Sequence, residues 1–146
     1  MKITLHKNKI EELDNALYLS KQVFKPTSEE IKKYHNRDDW LNKINNVGLL
    51  LTVWNNKKMV GFSICYPKEE NFHIWNAGVL ENYRGFGVWK EMYEAILKFA
   101  IDKKYNHLTL NTYKNKFANM YSFCLKRGFK EYRVKEGKSY FIKDVA

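Results

Sequence analysis

The chain has 146 residues, 45% hydrophobic and 29% charged, which suits one packed domain and argues against wholesale disorder. Lys plus Arg number 26 against 16 Asp plus Glu, a formal net charge of +10, so an acidic partner such as nucleic acid is the first thought. Only Arg37, Arg84, Arg127 and Arg133 are arginines, and the lysines run diffusely from Lys2 to Lys143, a balance weak in bidentate recognition that disfavours nucleic acid. No apolar run is long enough for a membrane span, and Met1-Lys2-Ile3-Thr4-Leu5-His6-Lys7 lacks the apolar stretch of a signal peptide. Cys65 and Cys124 form no CxxC pair, and four scattered histidines support no metal site. A reducing, cytoplasmic setting is expected.

Residues 2–6 alternate apolar and polar, which predicts a short strand. Ile10, Leu13, Leu17 and Val23/Phe24 then recur at helical spacing. Pro26-Thr27-Ser28-Glu29-Glu30 reads as a second helix start, with Thr27 or Ser28 as N-cap. Trp40, a core candidate, continues that helix with Leu41 and Ile44 to a break at Asn45-Asn46. Residues 48–54 and 59–66 are β-rich runs joined by a hairpin signal, Asn55-Asn56-Lys57-Lys58. Residues 72–80 form a third strand in this region. Residues 88–104 are the clearest helix, with Trp89, Met92, Tyr93, Ile96, Phe99 and Ala100 on one face. A strand over 107–112 precedes a helix over 116–126, for which Asn115 suits capping and Gly128 closes the end. Strands over 129–134 and 139–142 surround a Glu136-Gly137 turn. The order β-α-α-β-β-β-α-β-α-β-β predicts an α+β fold, a mixed sheet with helices on its faces. With no repeat or linker in between, residues 1–146 read as one domain.

The segment Gly78-Val79-Leu80-Glu81-Asn82-Tyr83-Arg84-Gly85-Phe86-Gly87-Val88-Trp89 carries the most chemistry. A strand ends, two glycines follow closely, and a long helix begins. The first backbone N–H groups of a helix lack intrahelical partners and sit at the positive end of its dipole, so a phosphate binds there readily. Glycines let the backbone approach that anion without a Cβ between, and Arg84 adds fixed charge. The plain alternative is a strand–helix turn that needs glycine only for positive φ.

This loop resembles the acyl-CoA pyrophosphate loop of the GNAT superfamily of N-acetyltransferases, whose pattern is Arg/Gln-x-x-Gly-x-Gly/Ala after a strand ending in Val; here it reads Val79, then Arg84-Gly85-Phe86-Gly87-Val88-Trp89. The element order is similar along the whole chain, and residues 110–129 resemble the family's second signature, a strand and a helix ending in Gly128-Phe129. The resemblance implies the GNAT acyl-CoA N-acyltransferase fold, a mixed, mostly antiparallel sheet flanked by helices. It implies an enzyme that moves an acetyl group from acetyl-CoA to a primary amine of a small molecule or peptide in a ternary complex, without metal. Family members are commonly homodimers, and the sequence identifies no interface. Two positions depart from the pattern. The last small residue of the loop is Trp89, and the tyrosine that many members use as general acid is Cys124, with Phe117 in place of an associated Asn.

Roles follow from the resemblance by position. Gly78, Val79 and Leu80 lie where the pantetheine arm and thioester meet the strand, and Arg84 to Trp89 hold the pyrophosphate. His73 shares a strand face with Trp75, Ala77 and Val79 and sits where histone-type members place a base. An imidazole takes that role naturally near neutral pH. The alternative is a strand histidine that merely packs. Tyr121 lies one turn from Cys124 on a stripe with Phe117 and Gly128, so either is a candidate proton donor. Alternatively, Cys124 is an apolar filler and the thiolate leaves unaided. Asn111 and Arg37 are candidate acceptor-binding residues, with His35 near the latter. A longer acyl-CoA is a variant of this reading, and a non-catalytic basic GNAT-like module binding nucleic acid or CoA is the alternative from another class. The positive charge fits long-range attraction of anionic CoA and disfavours polycationic acceptors.

Overall fold

The alternating segment ITLHK forms β1 (Ile3–Lys7). The computed structural model describes residues 1–45 and 47–145. A 3-10 turn at Ile10–Glu12 leads into α1 (Leu13–Phe24), which buries Leu13, Ala16, Leu19 and Ser20. It ends at Lys25, left-handed at φ 46, ahead of Pro26, which cannot continue a helix.

The second helix expected up to Asn45-Asn46 is in fact two. In α2 (Ser28–Tyr34), Thr27 Oγ1 accepts from the Glu30 N–H while the Glu30 carboxylate accepts from the Thr27 N–H. The Asn36 side chain then accepts from the Asp39 N–H and opens α3 (Arg37–Ile44). Asn followed by two acids makes a good N-cap and a poor helix interior, so the helix restarts there. Asn45 is the C-cap of α3; Asn46, the other half of the expected break, lies outside the described residues.

β2 (Leu49–Asn55) and β3 (Lys58–Lys68) form the expected hairpin around Asn56-Lys57, with Asn56 at φ 56. β4 is Asn71–Val79, α4 is Val88–Asp102 and β5 is His107–Tyr113. α5 (Ala118–Lys126) starts later than expected. Its N-cap is Phe117, with no side-chain cap, because Lys116 and Phe117 N–H bond back to the Tyr113 carbonyl and form a separate turn; Asn115 is not the cap. β6 (Lys130–Lys135) and β7 (Lys138–Asp144) close the chain around Glu136 (φ 53) and Gly137 (φ 79).

Among the described residues the strands make one seven-stranded sheet, ordered β1-β2-β3-β4-β5-β7-β6. The β1–β2, β2–β3, β5–β7 and β6–β7 pairs are antiparallel and β4–β5 is parallel, so the mixed, mostly antiparallel sheet flanked by helices is the observed fold.

The chain falls into two compact units, Met1–Tyr66 with Asn76–Ile96, and Pro67–Trp75 with Leu97–Ala146. In the first, the expected core residue Trp40 is fully buried and stacks on Phe62 at 5.5 Å. Side chains of this size contribute roughly 2–3 kcal/mol each when buried. Gly78 lies tightly under α1: a Cβ there would meet Phe62 Cε1 at 2.8 Å and Val23 Cγ1 at 3.2 Å. In the second, Phe72 packs against Phe99 and Tyr105, each at 5.1 Å, and Phe141 takes the ring edges of Tyr121 and Phe129.

Candidate active site

At the end of β4 the Leu80 N–H donates to the Val60 carbonyl at 2.9 Å, and a 3-10 turn at Glu81–Tyr83 leads to an extended Arg84. Gly85 and Gly87 follow, both at φ +84, a conformation that costs an L-residue about 1–2 kcal/mol. A Cβ at either position would meet nothing within 4 Å, so both glycines border open space. Phe86 between them is exposed, and Val88, buried at 1%, anchors the first turn of the fifteen-residue α4. The first intrahelical bond here is Glu91 N–H to Gly87 O at 3.0 Å, so the amides ahead of it lie at the helix's positive end. Arg84 donates Nε–H to the Val79 carbonyl at 3.1 Å, which ties its guanidinium to the end of β4. Trp89 is half-buried, its ring 6.1 Å from that of Tyr93 one turn along. Backbone donors, helix dipole, fixed cation and open space together fit a pyrophosphate.

In the same unit a cavity of about 920 Å³ is walled by α1, by the β2–β3 hairpin and by the segment from Leu80 to Arg84. Lys25, Lys57, Lys58 and Arg84 line it, against the carboxylates Asp14 and Glu81. The local pattern Asn55-Asn56-Lys57-Lys58 marks Lys57 and Lys58 only as turn residues. Their place beside Arg84 depends on the hairpin's register, and local pattern carries no signal for it.

His73 is buried at 3%, and its Nδ1 lies 2.7 Å from Thr109 Oγ1, the register neighbour on β5. Tyr121, half-buried on α5, donates its hydroxyl to Glu131 at 3.2 Å. Partial desolvation, with the Glu131 carboxylate beside it, raises the Tyr121 pKa, so the phenol holds its proton. Cys124 is fully buried, and burial pushes its thiol up to about 12. Asn111 stands half-buried on β5 opposite Tyr140 of β7. Arg37 is exposed and paired with Asp14 at 2.9 Å. His35 is buried, with Nδ1 2.9 Å from Ser20 Oγ; Ser20 donates to the Leu17 carbonyl, so the imidazole is the donor in that bond. Burial lowers the His35 pKa below its ordinary value.

A model of the acetyltransferase (GNAT) family matches residues 10–129. No curated protein matches the sequence significantly. Solved structures share the fold. PaiA N-acetyltransferase from Thermoplasma acidophilum, in complex with coenzyme A, is similar with a TM-score of 0.84 and 18% identity over 99% of each chain. Ribosomal-protein-S18-alanine N-acetyltransferase from Escherichia coli gives 0.79 and 14% over 99% of this chain and 95% of that one. Ard1 from Thermoplasma volcanium gives 0.78 and 15% over 100% and 99%.

Proposed function

The chain belongs to the GNAT acetyltransferase family, and on that premise we propose that it transfers an acetyl group from acetyl-CoA to a primary amine of a small molecule or peptide within a ternary complex. The observation that carries this reading is the loop at the head of α4, where two glycines at φ +84 border open space beside Arg84. When bound, acetyl-CoA supplies the acetyl group activated as a thioester.

The backbone of Gly85, Phe86, Gly87, Val88 and Trp89 binds the pyrophosphate, and Arg84 adds charge. Gly78, Val79 and Leu80 orient the acyl arm along β4. Leu80 N–H is spent on Val60 and Val79 O accepts from Arg84, so the Val79 N–H is the donor we assign to the thioester carbonyl. His73, fixed on its strand by the contact of Nδ1 with Thr109, is assigned to take the amine proton, directly or through water. Tyr121 is assigned as proton donor to the departing thiolate, because its phenol stays protonated at neutral pH. Cys124, buried and held at about 12, is assigned to packing. Asn111 is assigned to the acceptor; Arg37 contributes there only after release from Asp14.

Calorimetric titration with acetyl-CoA tests the reading. Micromolar binding at one site is expected, and an absence of heat at millimolar cofactor would overturn it.

A further inference from the structure

In the second unit Phe99, Tyr105 and Tyr121 all pack on one face of the sheet, through Phe72 and Phe141. The opposite face follows from the strand registers. His73 lies beside Thr109, Thr109 beside Ile142, and Ile142 beside Lys130. Asn111 lies beside Tyr140, and Tyr113 beside Lys138, itself beside Lys135.

β6 carries an irregularity at this place. The register passes from Glu131 opposite Phe141 to Arg133 opposite Tyr140, so Tyr132 is the extra residue of a bulge. A bulge turns both of its residues to one side. Accordingly the Tyr132 ring lies 6.2 Å from that of Tyr140, and the Arg133 guanidinium carbon stands 5.1 Å over the same ring. Lys138 Nζ approaches it at 5.5 Å.

Four cations, Lys130, Arg133, Lys135 and Lys138, therefore share a face with Tyr132 and Tyr140. Among the described residues that these registers place, Asp144 is the carboxylate on that face. It is bound by His107 Nε2 at 3.0 Å and lies four positions along β7 from Tyr140, about 13 Å away. Glu131 faces the other way, where it accepts from Tyr121. A guanidinium stacked on a ring keeps its N–H edge for a planar anion, and the ring lowers the cost of desolvating it. A polycation meets net repulsion from these four cations.

We propose that this face selects an amine acceptor that carries an anionic group, held by Arg133 and Lys138 against the Tyr140 ring, with Asn111 at its side. The proposal rests on the reading of the chain as an N-acetyltransferase. The anion is a carboxylate or a phosphate, and the two share the chemistry the face recognises.

The test compares matched acceptors in a CoA-thiol release assay: tyrosine against tyramine for a carboxylate, O-phosphoethanolamine against ethanolamine for a phosphate, and spermidine as polycation. In at least one pair the anionic member should exceed its partner by about tenfold or more in kcat/KM, the worth of one charge-assisted hydrogen bond. Which pair shows the preference identifies the anion. Arg133→Ala and Lys138→Ala should each collapse that ratio through KM, and Arg133→Lys should restore part of it. Spermidine as the best acceptor, no preference in either pair, or an unchanged ratio in Arg133→Ala would each overturn the proposal. A transfer reading that fails shows itself separately, as no thiol release with any amine. Calorimetry with O-phosphoethanolamine and tyrosine then reads the face directly: binding lost in Arg133→Ala supports it, and no binding of either refutes it.

Discussion

Gly87→Ala and Gly137→Ala make a matched pair that separates backbone strain from ligand binding. Gly87 sits at φ +84 and Gly137 at φ +79, and a Cβ at either meets nothing within 4 Å. Both variants therefore carry the same penalty, about 1–2 kcal/mol for an L-residue in left-handed backbone, with no clash added. For a chain of 146 residues each should lower Tm by about 3–7 °C. Their effects on acetyl-CoA should differ. At Gly87 the methyl group enters the open space that the first amides of α4 border, and losing one charge-assisted hydrogen bond costs about 1.5–3 kcal/mol. That raises the Kd about 10- to 100-fold. Gly137 lies in the β6–β7 turn, and its substitution should leave the Kd where it was. Differential scanning calorimetry and isothermal titration on both proteins give the two numbers. Equal Kd values for the two variants would refute the assignment of the loop as the pyrophosphate site.

Other substitutions and conditions give independent checks. Gly48→Ala should abolish soluble expression or cost more than about 3 kcal/mol, because its Cβ would run into backbone, the Lys43 carbonyl oxygen and Ile44 Cα; a Tm within a few degrees of the parent would contradict this. Cys65 and Cys124 are both buried and pushed up to about 12, so at pH 8 only about one thiol in ten thousand is ionised, and a disulfide reagent should label neither before unfolding. Labelling of the folded protein within minutes would show the burial to be wrong. Burial lowers the His35 pKa from 6.5, so the folded state binds fewer protons than the unfolded state below that value. Stability present above about pH 6.5 should fall as pH drops through the folded value, and urea melts of His35→Gln should show a flatter slope between about pH 7 and 5; an unchanged slope would exclude His35 as the source. Tyr121→Phe should lower kcat more than KM and flatten the alkaline limb of the pH–rate profile, and an unaltered profile would remove Tyr121 as proton donor.

Where local pattern and tertiary demand agree, the sequence is transparent. The strand alternations, the two positive-φ glycines after Arg84 and the apolar stripe of α4 announce their elements because one physical cause acts within a few residues. The misreadings arise where two local signals compete. Residues 27–44 carry helical periodicity throughout, yet Asn36 with Asp38 and Asp39 caps a new helix and breaks the run. Asn115 is a good capping residue placed two positions too early, since the Tyr113 carbonyl captures the next two amides first. The bulge at Tyr132 is invisible in the sequence, because it is set by pairing with β7 and by no turn residue. It is nonetheless what turns Arg133 onto Tyr140. The candidate catalytic residues divide in the same way. His73 shows its strand face by alternation, but its bond to Thr109 depends on a parallel pairing 36 residues away. The Tyr121 bond to Glu131 likewise needs α5 to lie on the β6–β7 sheet.

Acetyl transfer is tested most directly by mixing the protein with acetyl-CoA and a panel of amines, then following CoA thiol and product mass together. The expected result is acceptor-dependent thiol release matched one for one by N-acetylated amine. Tight cofactor binding without acceptor-dependent release of thiol from any amine in the panel would contradict it.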